Sequence, residues 1–72
     1  MAPPLSRLDK IFFETMARIR QITYRADRIE HLSRILNNHL DDYYSDNDRV
    51  FSRTDNEYFI RRYQAELLNY GI

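Results

Sequence analysis

Residues 5–43 read LSRLDKIFFETMARIRQITYRADRIEHLSRILNNHLDDY, a run with neither glycine nor proline. One apolar seam threads it through Leu5, Leu8, Phe12, Thr15, Ile19, Ile22, Ala26, Ile29, Ser33, Leu36, Leu40 and Tyr43. Steps of three and four residues place such positions on one stripe of a helix, the spacing of a coiled coil. The spacing predicts one long helix over about residues 6–42, some 55 Å at ~1.5 Å per residue. Thr23 is β-branched, Ala26 thins the seam, and Asn37-Asn38 favours helix poorly. A break near residues 22–27 would give two shorter helices instead.

Local signals mark the start of this segment. Pro3 and Pro4 disfavour helix before them and predict an extended lead-in over residues 1–4. Ser6 is placed to cap the helix, with Asp9 three residues on and near its positive end. Ile11, Met16, Leu32 and Ile35 widen the apolar stripe beyond a two-stranded seam. A wider face points to a three- or four-helix bundle.

The periodicity fails after Asp41. The run DDYYSDNDRVFSR, residues 41–53, mixes acidic, turn-forming and aromatic side chains. It predicts an acidic linker at about residues 45–53. Thr54-Asp55-Asn56-Glu57 has the form of a capping box. A second helix is expected at about residues 55–69, with Phe59, Ile60, Tyr63, Leu67 and Tyr70 on its apolar face. Gly71 is suited to ending it. A helix that short covers only the later half of the first. Residues 8–22 are thereby expected to stay bare, an aggregation hazard unless a partner covers them.

The 72 residues suffice for one small helical domain, 1–72. Domains of this size often depend on a staple or a partner. The chain has no cysteine, which rules out disulfides and thiolate metal sites. It is compatible with the cytoplasm or another reducing intracellular compartment. MAPPLSRLDK lacks the apolar core of a signal peptide, Met1 is expected to be a natural start, and no run is long enough to span a membrane. Formal charge is zero, from 11 basic and 11 acidic residues. Residues 1–35 carry seven basic and four acidic groups, net +3, and residues 36–58 two and six, net −4. Such a division can orient partners.

Chemistry-bearing motifs are sparse. A single glycine excludes a phosphate-cradling loop, and no local signature arranges a nucleophile with a histidine. No enzyme activity, cofactor or metal is expected. His31 and His39 are two turns apart, too far along one helix to grip a shared metal, though His39 can cluster with Asp42 or Tyr43. The acidic run lacks the central glycine and order of a calcium loop. Arg61 and Arg62 are expected on the wet side of the last helix or paired with Asp41 or Asp42.

The fold expected is therefore all-α: a long amphipathic helix, an acidic turn and a short helix, completing a helical bundle by oligomerisation. The function expected is a small protein–protein interaction module serving as adaptor, regulator or assembly subunit. Its partner is a second copy, such as a homodimer, or another helical protein. Phe12, Phe13, Met16, Ile19 and Ile22 form the expected contact surface, flanked by Arg18, Arg25 and Tyr63. Aromatic and arginine side chains suit interfaces because they join contact area to directional hydrogen bonds. The alternative is a dimeric DNA- or RNA-associated regulator using Arg18, Arg25 and Arg28 along one helix flank.

Overall fold

In a computed structural model, which describes residues 5–71, the chain forms three helices and no strand. The lead-in expected at residues 1–4 lies outside the described residues. Helix α1 spans Arg7–Arg20, α2 Arg25–Tyr44 and α3 Arg53–Asn69. The all-α class is as expected. The single long helix is not: the alternative of two shorter helices holds, with the break at residues 21–24.

The cap at Ser6 forms as its sequence predicts. Ser6 Oγ accepts from the Asp9 backbone N–H at 3.1 Å, and Asp9 Oδ2 accepts from the Ser6 N–H at 3.4 Å. Two orphan donors of the first turn are thereby satisfied.

The break follows from local chemistry and long-range packing together. Ile22, Thr23 and Tyr24 are consecutive β-branched or aromatic residues, all weak helix formers. The N–H of Ile22 bonds back three residues to Ile19 at 3.0 Å, which tightens the end of α1. Tyr24 is extended and starts α2 without a side-chain cap. Arg28 stitches the corner from within α2, its guanidinium donating to the carbonyls of Ile22 at 2.8 Å and Thr23 at 3.0 Å. A straight rod would leave the face of α1 in water. Turning it back buries Phe12, Met16 and Ile19, each side chain contributing roughly 2 kcal/mol.

The core consists of Phe12, Met16 and Ile19 from α1, Leu32 from α2, and Phe59, Tyr63 and Leu67 from α3. Aromatic rings tie the layers. Phe12 lies 5.2 Å from Tyr63, and His39 stacks on Phe59 at 4.5 Å with its plane 20° away. The expected inner face of the last helix is correct for Phe59, Tyr63 and Leu67, with Ile60 and Tyr70 half-buried.

The last helix begins two residues earlier than expected. Its cap is Ser52, whose Oγ accepts from the Asp55 N–H at 3.1 Å. Thr54 falls inside the first turn, and Glu57 instead accepts from the Tyr43 hydroxyl at 3.3 Å. Ser52-Arg53-Thr54-Asp55 repeats the form of Ser6-Arg7-Leu8-Asp9. Gly71 does end the helix. Its φ of +82° is ready for glycine and strained for other residues, and its N–H reaches the Leu68 carbonyl at 2.9 Å.

The linker between α2 and α3 is fixed by Asp42. Its carboxylate accepts from the backbone of Val50 at 2.8 Å and Phe51 at 2.9 Å. Helices α2 and α3 form the closest pair, and α1 rests more lightly on both. The result is flat, 37 × 35 × 18 Å, with a radius of gyration of 13.0 Å. A spherical chain of this length would give about 11 Å. One side of the α1–α2 corner is left open.

Candidate interaction groove

The opening is a cleft of about 540 Å³ between α1 and α2. Ile11, Thr15, Arg18, Ile19 and Ile22 form one wall, spaced to fall on one face of the chain before the corner. His31, Ile35 and His39 form the other at intervals of four. Tyr63 of α3 and Phe51 of the linker complete the lining. The exposed surface inside is mostly apolar. A shallower depression lies elsewhere, between Leu40, Tyr43 and Tyr44 of α2 and Glu57, Ile60, Arg61 and Gln64 of α3.

A buried polar relay sets the His39 ring. Asn56 is fully buried. Its amide nitrogen donates to Asp42 Oδ2 at 2.7 Å and to the Phe51 carbonyl at 3.2 Å. That leaves Asn56 Oδ1 as an acceptor, and His39 Nδ1 lies 3.0 Å from it. The pattern assigns the proton of His39 to Nδ1 and leaves Nε2 as the ring's other polar atom. The expected proximity of His39 to Asp42 is thus real, with Asn56 between them. The Asn56 amide, followed by the Phe51 and Val50 N–H groups, holds the Asp42 carboxyl below the usual carboxylate range. Burial pushes the Tyr63 phenol up.

A second polar cluster joins α1 to α3 on the other side of the core. The Tyr58 hydroxyl donates to Asp9 Oδ1, and Arg62 lies 3.5 Å from the same oxygen. Burial, then the bond to Asp9, pushes the Tyr58 phenol up to about 12. The bond from Tyr58 is in turn the main cause holding the Asp9 carboxyl below its ordinary range. Arg62 is neither on the wet side nor paired with Asp41 or Asp42. Its guanidinium spreads over Phe12, Phe13 and Tyr58 at 4.1, 5.3 and 5.5 Å.

The expected contact residues are therefore divided. Phe12, Met16 and Tyr63 are 2%, 2% and 1% exposed within one chain, and Ile19 is 3%. They are core residues, because the break folds α1 back over α3. Covering them requires no second copy. Phe13 is exposed beside Arg62, away from the groove lining. Ile22 and Arg18 line the groove. Arg25 donates to the Tyr70 carbonyl and lies 5.7 Å over its ring. With Arg28 bound to the corner carbonyls, two of the three arginines proposed for phosphate contact are engaged within the chain.

His31, Ile35, His39 and Phe51 were not expected at a site. Ile11 and Ile35 did stand out as apolar positions widening the stripe, and both prove to be groove walls. No helix among the described residues is long and apolar enough to cross a membrane, and no three His, Asp or Glu side chains among them converge as metal ligands. No protein-family model, curated protein or solved structure matches this chain.

Proposed function

We propose that the protein is a small helical interaction module, an adaptor, regulator or assembly subunit, that receives a partner helix between α1 and α2. The observation that supports this reading is the open apolar cleft itself. Within α1 the wall runs from Ile11 to Ile19, roughly 12 Å, enough for about two turns of a docked helix, and Ile22 extends it into the corner. Helix-in-groove binding needs such a trough and an amphipathic ligand, and demands no catalytic group. The flatness of the chain gives a reason for it, since a third layer would complete the bundle. We place the module, on its cysteine-free composition, in a reducing intracellular compartment. The nucleic-acid reading has less support, because Arg25 and Arg28 spend donors on backbone carbonyls.

The test maps where a helix binds. An amphipathic peptide of about 18 residues, leucines on one face and glutamines on the other, is titrated into the labelled chain. Amide and methyl shifts are expected to concentrate on Ile11, Ile22, Ile35 and Phe51. Ile35→Asp should abolish them, while Leu68→Asp, on the exposed end of α3, should leave them. Shifts centred on Leu68 or Val50, or none at all, would defeat this function.

A further inference from the structure

The ionisable side chains lining the cleft are Arg18, His31, His39 and Tyr63, with no carboxylate among them. From this one-sided set we infer that the groove's occupant is an amphipathic helix of another protein, apolar on one face and flanked by acidic residues. The inference rests on the groove being a helix-binding site and adds the chemistry of what fills it.

Three observations support it. Arg18 is exposed on the α1 wall and makes no hydrogen bond or ion pair among the described residues. His31 is exposed opposite it on α2, likewise without a partner among them. Helix α1 therefore offers a permanent cation and α2 an ionisable ring, one on each lip of an apolar trough. Glu14 and Asp27 are exposed nearby and do not line it. Asp42, linked to the groove's His39 through Asn56, is already spent on Asn56, Val50 and Phe51. A docking helix would meet the Arg18 cation at the rim, no carboxylate in the lining and hydrocarbon at the floor, the arrangement that favours acid flanks over basic ones.

A second copy of this chain fits less well. Apart from Phe13, its exposed large apolar residues among those described are Leu5, Tyr24, Tyr44, Val50 and Leu68, which lie before α1, in the corner, at the end of α2, in the linker and near the end of α3. They make no helical stripe to lay along the cleft. Phe13, on α1, is engaged with Arg62.

Two peptides with the same leucine face settle the question, one flanked by glutamates and the other by lysines. Each is labelled and titrated with the full chain at low salt, read by fluorescence anisotropy. The glutamate peptide is expected to bind about two- to fivefold more tightly for an ion pair formed at Arg18. Arg18→Glu should reverse the preference without loss of helicity, Arg18 being exposed. Equal affinities, or a preference for lysine, would overturn the acidic occupant. If Ile35→Asp still abolished both, the groove would survive as a helix site. Failure of both peptides to bind would remove both ideas. So would self-association that blocks the peptides and disappears in Ile35→Asp overturn the foreign partner, by showing that a second copy closes the cleft.

Discussion

The Arg62 guanidinium lies 4.1 Å from the centre of the Phe12 ring, so a cation of α3 covers the largest buried side chain of α1. The same group approaches Asp9 at 3.5 Å, and Asp9 belongs to the box that caps α1. One side chain thus links the capping, docking and core packing of the helix that forms the groove's first wall. Its long stem supplies apolar contact and its head remains partly in water.

Arg62→Ala is expected to loosen α1 more than the other two helices. Loss of the ring contact and the partly exposed ion pair should cost about 1–2 kcal/mol. Urea unfolding reads the total, and amide hydrogen exchange reads its location. Protection should fall first in Arg7–Arg20. A uniform fall across all three helices would show that Arg62 has no special hold on α1. Arg62→Lys should recover only part, since it keeps the charge and loses the planar contact.

The polar clusters predict losses at both pH extremes. Asp9 and Asp42 are both held below the ordinary value of 3.8. A carboxyl depressed in the fold adds stability above its unfolded pKa and loses it as pH falls through the folded one. Stability should therefore decline from about pH 4 downward, more gently in Asp42→Asn. Tyr58 runs the other way. Its phenol, raised from 10.0 to about 12, favours the fold while protonated, and that contribution fades between those values as pH rises. Ultraviolet titration should show tyrosine absorbance still rising well above pH 10, from Tyr58 and with it the buried Tyr63. All six tyrosines titrating together would contradict the Tyr58–Asp9 bond.

Asn56 is buried without a charge, and three groups depend on it. Replacing it with alanine strands His39 Nδ1 and takes one donor each from the Phe51 carbonyl and Asp42 Oδ2. A buried polar group left unpaired costs about 1–3 kcal/mol, and Asp42 and Phe51 retain other partners or some access to solvent. Asn56→Ala is expected to lose about 2–4 kcal/mol in urea unfolding, with the linker at residues 45–52 freed before the helices melt. A loss below about 0.5 kcal/mol, the range of an ordinary surface change, would mean that the relay holds nothing.

How much of this was legible is clearest at four places. Ser6 and Asp9 were readable because a cap is settled within four residues. The inner face of α3 was readable because Phe59, Tyr63 and Leu67 repeat at helical spacing. The corner was partly legible: Thr23 and the thin seam at Ala26 marked a possible break near residues 22–27, while Ile19, Ile22, Ala26 and Ile29 keep the register of an unbroken seam straight through it. What decides there is the burial of Phe12, Met16 and Ile19 against α3, a contact between residues some forty to fifty positions apart. For the same reason Ile19→Asp, which on a straight rod would only prevent association, here puts a carboxylate into the core and should unfold the chain. The groove was half legible: Ile11 and Ile35 were visibly in excess of a seam, but only the fold-back of α1 sets them facing one cleft with Arg18 and His31.

The corner should be reversible by local substitution. Thr23 and Tyr24 are exposed, so changing them disturbs no core packing. Thr23→Ala with Tyr24→Ala raises helix propensity by about 1 kcal/mol in total. Adding Arg28→Ala removes both side-chain bonds that hold the bend. The triple variant is expected to favour a straighter α1–α2 rod, which strips Phe12, Met16 and Ile19 from α3. Bare apolar side chains must then find another α3, and exchange of α1 between copies supplies it. Light scattering over a concentration series should show larger species than the parent chain forms, with helicity unchanged or raised. If the triple variant kept the parent's mass at every concentration and lost no stability, the bend would be enforced by core packing alone, and the chemistry of residues 21–24 would be incidental to it.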